Sequence, residues 1–358
     1  MKRKSVKRVV SMMLTGALAL SAMGCGSKAA VKEETTAETV AASETAEQTT
    51  ETKNDSTEKT TLRMDVVSSG TQAIPAYVMQ KKGLADKYGI DLQIHDNSGA
   101  WGSEWTAMKT DEIDCMITAW TYVAMNYAET PTVCAAPMFG WGNSVITGSD
   151  SGINGLSDLT GIKLGVYQTT ALDWVLMRAA CEKDYGFDPN DTCEVSEAAA
   201  GLLGGMLQQG NIDAALSYAD TNVILGAEDD YKVIFNMGDC LDTLGLDKNT
   251  PFLFYTFSQK YYEKHPETVA AFADMYGEVY DILMEDDDIW NDIAADLFGV
   301  TDESAVPALR DEIRSCILKN NTADTEKECK DMLQWCVDNG YEDMIGISEI
   351  PDGIFVTE

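Results

Sequence analysis

Four short segments of this chain combine side chains in ways that could hold a small molecule. In Ser68-Ser69-Gly70-Thr71, hydroxyls and a glycine precede an apolar helical run. Free backbone N–H groups at a helix start, with hydroxyls beside them, make an anion-holding corner, although Ser or Thr also serves as an ordinary N-cap. Gln168-Thr169-Thr170 repeats the arrangement later in the chain. Trp120-Thr121 leaves an apolar strand-like run, so the indole either lines a cleft or caps a sheet edge. In Tyr218-Ala219-Asp220 the tyrosine offers a flat face and a hydroxyl. Its acid suits an ammonium or amidine group, or equally the N-cap of the next helix. Trp101, Trp141 and Trp174 are further candidates that core packing explains equally well.

The charged residues narrow the chemistry. From residue 61 onward, arginine occurs only at Arg63, Arg178, Arg310 and Arg314, outside all four segments. No bidentate clamp for a carboxylate, sulfonate or phosphate is in view, so sulfonate binding would rest on helix N-termini and hydroxyls. An acid beside aromatic residues suits a flat or cationic ligand, such as an aminopyrimidine or an amine. His95 and His265 are the only histidines and have no triad or metal partners nearby in sequence. Glu285-Asp286-Asp287-Asp288 lacks the glycine and closing glutamate of a calcium loop and reads as a solvated helix junction. The cysteines beyond Cys25 form no C-x-x-C pair; mostly free thiols are expected, with one or two bridges open. The expectation is a binding site with no catalytic residue, metal or cofactor.

The elements that must position these segments alternate. Strand-like runs at 62–67, 90–94, 115–118 and 133–139 are interleaved with helical patterns at 74–82, 103–110 and 122–128. A second series has strands at 163–167, 214–216 and 232–235, with helices at 171–183, 198–208 and near 222–228. Such alternation predicts an α/β architecture with parallel-type sheets. A Gly-, Ser- and Asn-rich stretch at 143–158 separates the series, and 251–258 is again extended and apolar. The remainder is helical, with amphipathic runs at 267–284, 304–318 and 326–339. The reading is two α/β lobes joined by strands crossing near 142–149 and 250–257, with the helical tail returning to the first lobe. A cleft between lobes is a common place for a small-molecule site.

Residues 1–25 have a basic start, a short apolar run from Val9 to Met23, and a cysteine. That run is too short for a stable span and has signal-peptide form. Ala22-Met23-Gly24-Cys25 resembles the bacterial lipoprotein processing box, in which the cysteine becomes the lipid-bearing N-terminus; an ordinary cleaved signal is the alternative. Residues 26–60 are rich in Thr, Glu, Ala, Lys and Ser with no aromatic residue, and read as a disordered tether. No later segment holds about 18 uninterrupted apolar residues. The expected organisation is therefore 1–24 signal peptide, 25–60 lipidated cysteine and tether, and 61–145 first lobe. The second lobe follows at 146–250, and 251–358 is the return to the first lobe with C-terminal helices.

Several segments carry a family resemblance in order. Met79–Ile94 (MQKKGLADKYGIDLQI), Glu112-Ile113-Asp114 before CMITAW, Gly152–Val166 (GINGLSDLTGIKLGV) and Gln209–Ala215 (QGNIDAA) resemble nitrate/sulfonate/taurine-type substrate-binding proteins of ABC importers. That group includes the binders of thiamine-pyrimidine precursors (NMT1/THI5-like). Asp111 stands where the pattern usually has glycine. The resemblance covers about 61–285. It implies a type II periplasmic-binding-protein fold closing as a hinged clamp, and a monomeric lipoprotein on the outer face of the cell membrane. It also implies a small-molecule solute (sulfonate/taurine-like or aminopyrimidine-like) and, as partners, an ABC permease and its ATPase. In such a fold the four segments lie where strands end and helices begin.

Other functions are weighed against this one. The formal charge is −33, from 26 Lys+Arg against 59 Asp+Glu, and five of the basic residues fall in the first eight positions. A phosphate-tracking surface needs clustered Lys and Arg, so nucleic-acid binding is excluded. A pyrimidine-synthesising branch shares the fold, but its CCCFC motif is absent, which argues against an enzyme. A sensory or scaffolding lipoprotein that binds solute for a receptor is the remaining alternative.

Overall fold

In β1 (Thr60–Val67), Leu62, Met64 and Val66 point into a core, the period-two pattern of one apolar strand face, while on the other face Thr61 is exposed and Asp65 is buried. The computed structural model describes residues 59–97, 102–226, 230–319 and 323–356. They lie in the unit Ser56–Glu358. The signal segment, Cys25 and the tether up to residue 58 lie outside the described residues, as does Trp101, while Thr60, expected to end the tether, already belongs to β1.

The other strands are β2 (Ile90–Asn97), β3 (Cys115–Ala119), β4 (Thr132–Phe139), β5 (Ser144–Gly148), β6 (Lys163–Val166), β7 (Glu194–Glu197), β8 (Ala214–Ser217), β9 (Tyr231–Asn236) and β10 (Leu253–Ser258). They form two five-stranded sheets, ordered β2-β1-β3-β10-β4 and β7-β6-β8-β5-β9. Three strands of the first sheet, β2, β1 and β3, are parallel, and β10 runs against both of its neighbours. The second sheet repeats the plan, with β5 as the reversed strand. Each reversed strand follows a passage of the chain from one sheet to the other: 140–143 leads from β4 into β5, and 245–252 leads back into β10.

The two passages are fastened to each other. The indole of Trp141 lies 4.7 Å, centroid to centroid, from the ring of Phe252 and donates a 2.7 Å hydrogen bond to the Thr250 carbonyl. Trp141 is therefore a buried hinge fastener and not a ligand platform.

Helices Pro266–Glu285, Ile289–Phe298 and Val306–Cys316 pack on the first sheet. The last two helices, Ala323–Asp338 and Glu342–Ile345, depart from the expectation that the tail returns to the first lobe. Their Cys329, Met332, Leu333 and Ile345 share a core with Val123 and Cys134 of the first lobe and with Leu176, Cys181 and Leu241 of the second. At the far end, the Cys134 amide donates to the Ile354 carbonyl (2.6 Å) and the Val356 amide to the Cys134 carbonyl (2.9 Å). These bonds cover the outer edge of β4, which would otherwise present unpaired backbone groups. On the other lobe, the Tyr341 hydroxyl donates to Glu182. The tail is a strap over both lobes.

The eight described cysteines are free thiols. The 285–288 acidic run is a helix junction held by ion pairs from Lys82, Arg310 and Arg314. No described helix is long and apolar enough to cross a membrane.

Candidate functional site

A cavity of about 480 Å³ lies between the two sheets. Its wall is built where strands end: Asp65 and Val67 at the end of β1, Asn97 at the end of β2, Thr118 and Ala119 in β3, Tyr167 after β6 and Tyr218 after β8. Loops at the carboxyl ends of parallel strands face the same way, which is why residues distant in sequence converge here.

Six of the residues singled out from the sequence lie on this wall: Ser69, Gly70, Thr71, Thr121, Tyr218 and Asp220. Gly70 adopts φ +78° and ψ −169°, a region open only to glycine, and its amide donates to the Leu297 carbonyl at 3.3 Å. The Thr71 hydroxyl is buried without a hydrogen-bond partner. Asp220 is in the first turn of helix Ala219–Gly226, and its carboxylate accepts from the Thr221 amide at 2.9 Å.

The remaining candidates are placed otherwise. Ser68 is exposed and off the wall. Trp120 is the first residue of helix Trp120–Asn126, which starts two residues earlier than the sequence predicts. Its side chain is thereby carried into the core shared with Val123 and Cys134, and it is fully buried. Trp174 is likewise fully buried, on the inner face of helix Leu172–Tyr185. Gln168, Thr169 and Thr170 do not line the cavity. The Thr169 amide and hydroxyl both donate to Glu197, at 2.6 and 2.7 Å. Those donors hold the Glu197 carboxyl below its usual range, so this anion corner is filled by the protein's own carboxylate. Gln168 accepts a hydrogen bond from the Tyr122 hydroxyl and so ties the two lobes beside the cavity.

Other wall residues were not singled out from the sequence. Asp65 is buried in β1; its oxygens contact His95 Nδ1 (2.8 Å) and the Asn97 side-chain amide (2.6 Å). Glu104, in the first turn of helix Ser103–Lys109, forms no ion pair among the described residues. Burial pushes its carboxyl upward, and the negative charge of Asp65 adds to that. Burial likewise raises Asp220, against which the amides of Thr221 and Thr71 work. Tyr122 and Tyr167 lie on the wall with Tyr218, and burial raises the hydroxyl pKa of each. At the hinge, Asn143 donates at 2.7 Å to buried Asp173, whose carboxyl burial pushes up to about 6. Cys316 completes the floor; burial raises its thiol to about 12, and the group contacts the Ile313 carbonyl.

The wall can hold a solute by hydrogen bonds, aromatic faces and negative charge. Among the described residues, no group of three or more His, Cys, Asp or Glu is arranged to hold a metal ion.

A model of the family described as NMT1/THI5 like matches residues 70–288. Among solved structures, the alkanesulfonate-binding protein SsuA from Xanthomonas axonopodis pv. citri, bound to MOPS, is similar at TM-score 0.68 and 13% identity, over 84% of this chain and 99% of that one. The periplasmic aliphatic sulphonate binding protein SsuA from Escherichia coli follows at 0.63 and 16%, over 82% and 90%. The periplasmic nitrate-binding protein NrtA from Synechocystis PCC 6803 is similar at 0.63 and 12%, over 83% and 86%. At these identities the likeness is one of fold, the two-lobed α/β fold of periplasmic binding proteins. Comparison with curated protein sequences gives no match.

Proposed function

Because this chain belongs to the NMT1/THI5-like family, we propose that it is an extracytoplasmic solute-binding protein. It captures a small organic solute between its lobes and delivers it to an ABC importer. The observation that carries this reading is the 480 Å³ cavity walled by strand ends of both lobes and spanned by two fastened crossings. Binding there is a population shift toward the closed form, with no bond made or broken. Among the described residues the one thiol on the wall, Cys316, is pushed up to about 12 by burial and contacts the Ile313 carbonyl, which supports a binding role over catalysis. Alkanesulfonate and nitrate binding by structural neighbours supports a small polar solute.

Cys25, in a lipoprotein-type processing context, is the proposed lipid attachment point, and the folded unit acts as a monomer on the outer face of the membrane. The permease and ATPase of an importer are the proposed partners. A thermal-shift screen of the full chain tests the reading. A solute at 100 times its dissociation constant should stabilise the fold by about 2.7 kcal/mol. Incorporation of labelled lipid into wild type but not Cys25→Ala tests the anchor.

A further inference from the structure

Three carboxylates line the cavity, Asp65, Glu104 and Asp220, and among the described residues no Lys, Arg or His lies on its wall. All four described arginines are paired elsewhere: Arg63 with Asp114, Arg178 with Asp188, and Arg310 and Arg314 with Asp287. Both corners suited to an anion already hold one. The Thr169 donors are taken by Glu197, and Asp220 sits against the Gly70–Thr71 turn, its Oδ2 2.8 Å from where a Cβ on Gly70 would lie. An incoming sulfonate or nitrate would find the backbone donors of both corners occupied, with the Thr71 hydroxyl left unpartnered, and three like charges around it without a guanidinium to offset them.

The same wall suits the opposite charge. Tyr122, Tyr167 and Tyr218 supply ring faces, with Tyr167 and Tyr218 set edge to face at 6.2 Å. Aromatic faces beside carboxylates are the general recognition chemistry of ammonium and amidinium groups. Asp65 is engaged by the side chains of His95 and Asn97, whereas Glu104 and Asp220 are held by backbone amides and keep oxygen lone pairs for a ligand. Glu104 belongs to the first lobe and Asp220 to the second, so a cation between them is attracted by both halves of the clamp.

We propose that this cleft takes a small organic cation, an amine, amidine or quaternary ammonium, held by Glu104 and Asp220 and by the tyrosine faces. The proposal rests on the solute-binding reading and narrows it to one charge class. Burial raises the pKa of both carboxyls, and a cation placed between them would offset that cost of desolvation.

The test is calorimetric titration of the full chain with choline, agmatine, putrescine and 4-amino-2-methylpyrimidine, and in parallel with nitrate, methanesulfonate and ethanesulfonate. The expected result is saturable binding of at least one cation and of no anion. Glu104→Gln and Asp220→Asn should each weaken that cation tenfold or more. Their thermal midpoints without ligand are measured alongside, so that misfolding is not read as lost binding; should Asp220→Asn misfold, Glu104→Gln carries the test. Anion binding without cation binding overturns the charge assignment and leaves the solute-binding reading standing. A cation that binds equally well to folded Glu104→Gln also overturns it. Failure of both panels overturns the charge assignment and the solute-binding reading together.

Discussion

The carboxylate of Asp220, in the second lobe, lies so close to Gly70 of the first that a Cβ on Gly70 would sit 2.8 Å from Oδ2. A loop with a backbone shape open only to glycine is thus in direct contact with an acid from the facing lobe. With the Tyr122–Gln168 hydrogen bond, this contact draws the two walls of the cavity together.

Gly70→Ala therefore meets two obstacles, a φ of +78° and the Asp220 oxygen. We expect a loss of about 1–3 kcal/mol in unfolding free energy and a weakened solute affinity, read from urea titration and calorimetry. Combining it with Asp220→Gly should restore part of the loss by removing the clash but not the strain. A double variant no better than the single would contradict the contact.

The Asp173–Asn143 pair predicts a pH signature. A folded pKa of about 6 against an ordinary carboxyl value means that folding takes up a proton between roughly pH 4 and 6. Stability from this group is greatest below that window and is lost as pH rises through it, amounting to roughly 3 kcal/mol above pH 6. Asp173→Asn lacks the titration, so its stability relative to wild type should rise from pH 4 to 7. Parallel pH profiles would contradict the assignment.

The strap predicts that a change at the chain end is felt throughout. Phe355 is buried against Phe254, with ring centroids 5.6 Å apart, in the core that also holds Cys134 and Leu176. Phe355→Ala should cost about 3–5 kcal/mol and lower a single cooperative transition, seen by tyrosine and tryptophan fluorescence together. Unchanged stability would show that the strap is peripheral.

Trp120 separates packing from recognition. Fully buried away from the cavity, it should tolerate replacement by Phe at a stability loss on the order of 1–2 kcal/mol, with solute affinity within about twofold of wild type. An affinity loss of tenfold in a folded Trp120→Phe would return the indole to the binding wall.

Much of the fold was legible because the buried strands are short apolar runs, as in β3 and β4, separated by amphipathic helices. The edge strand β7, Glu194–Glu197, has a glutamate at each end and a single apolar residue, Val195, so nothing local announces it. The site was legible where chain direction decides the outcome: Gly70, Thr121 and Tyr218 follow strand ends and reach the wall. Glu104 was not, because an acid in a helix's first turn is expected from the helix dipole alone. Nor was the fate of Thr169, whose partner Glu197 is 28 residues away and is brought to it only by the pairing of β6 with β7. The three tryptophans at 120, 141 and 174 were drawn inward by size, each into a core that the sequence describes only in sum.

The most direct test of solute capture between the lobes is the thermal midpoint of the full chain with saturating solute, compared with an Ala200→Trp variant. Ala200 starts a helix on the cavity wall, and an indole there fills the space a solute would use. The account predicts a raised midpoint in wild type and no shift in the folded variant. An equal shift in both would place the solute outside the cleft and contradict it.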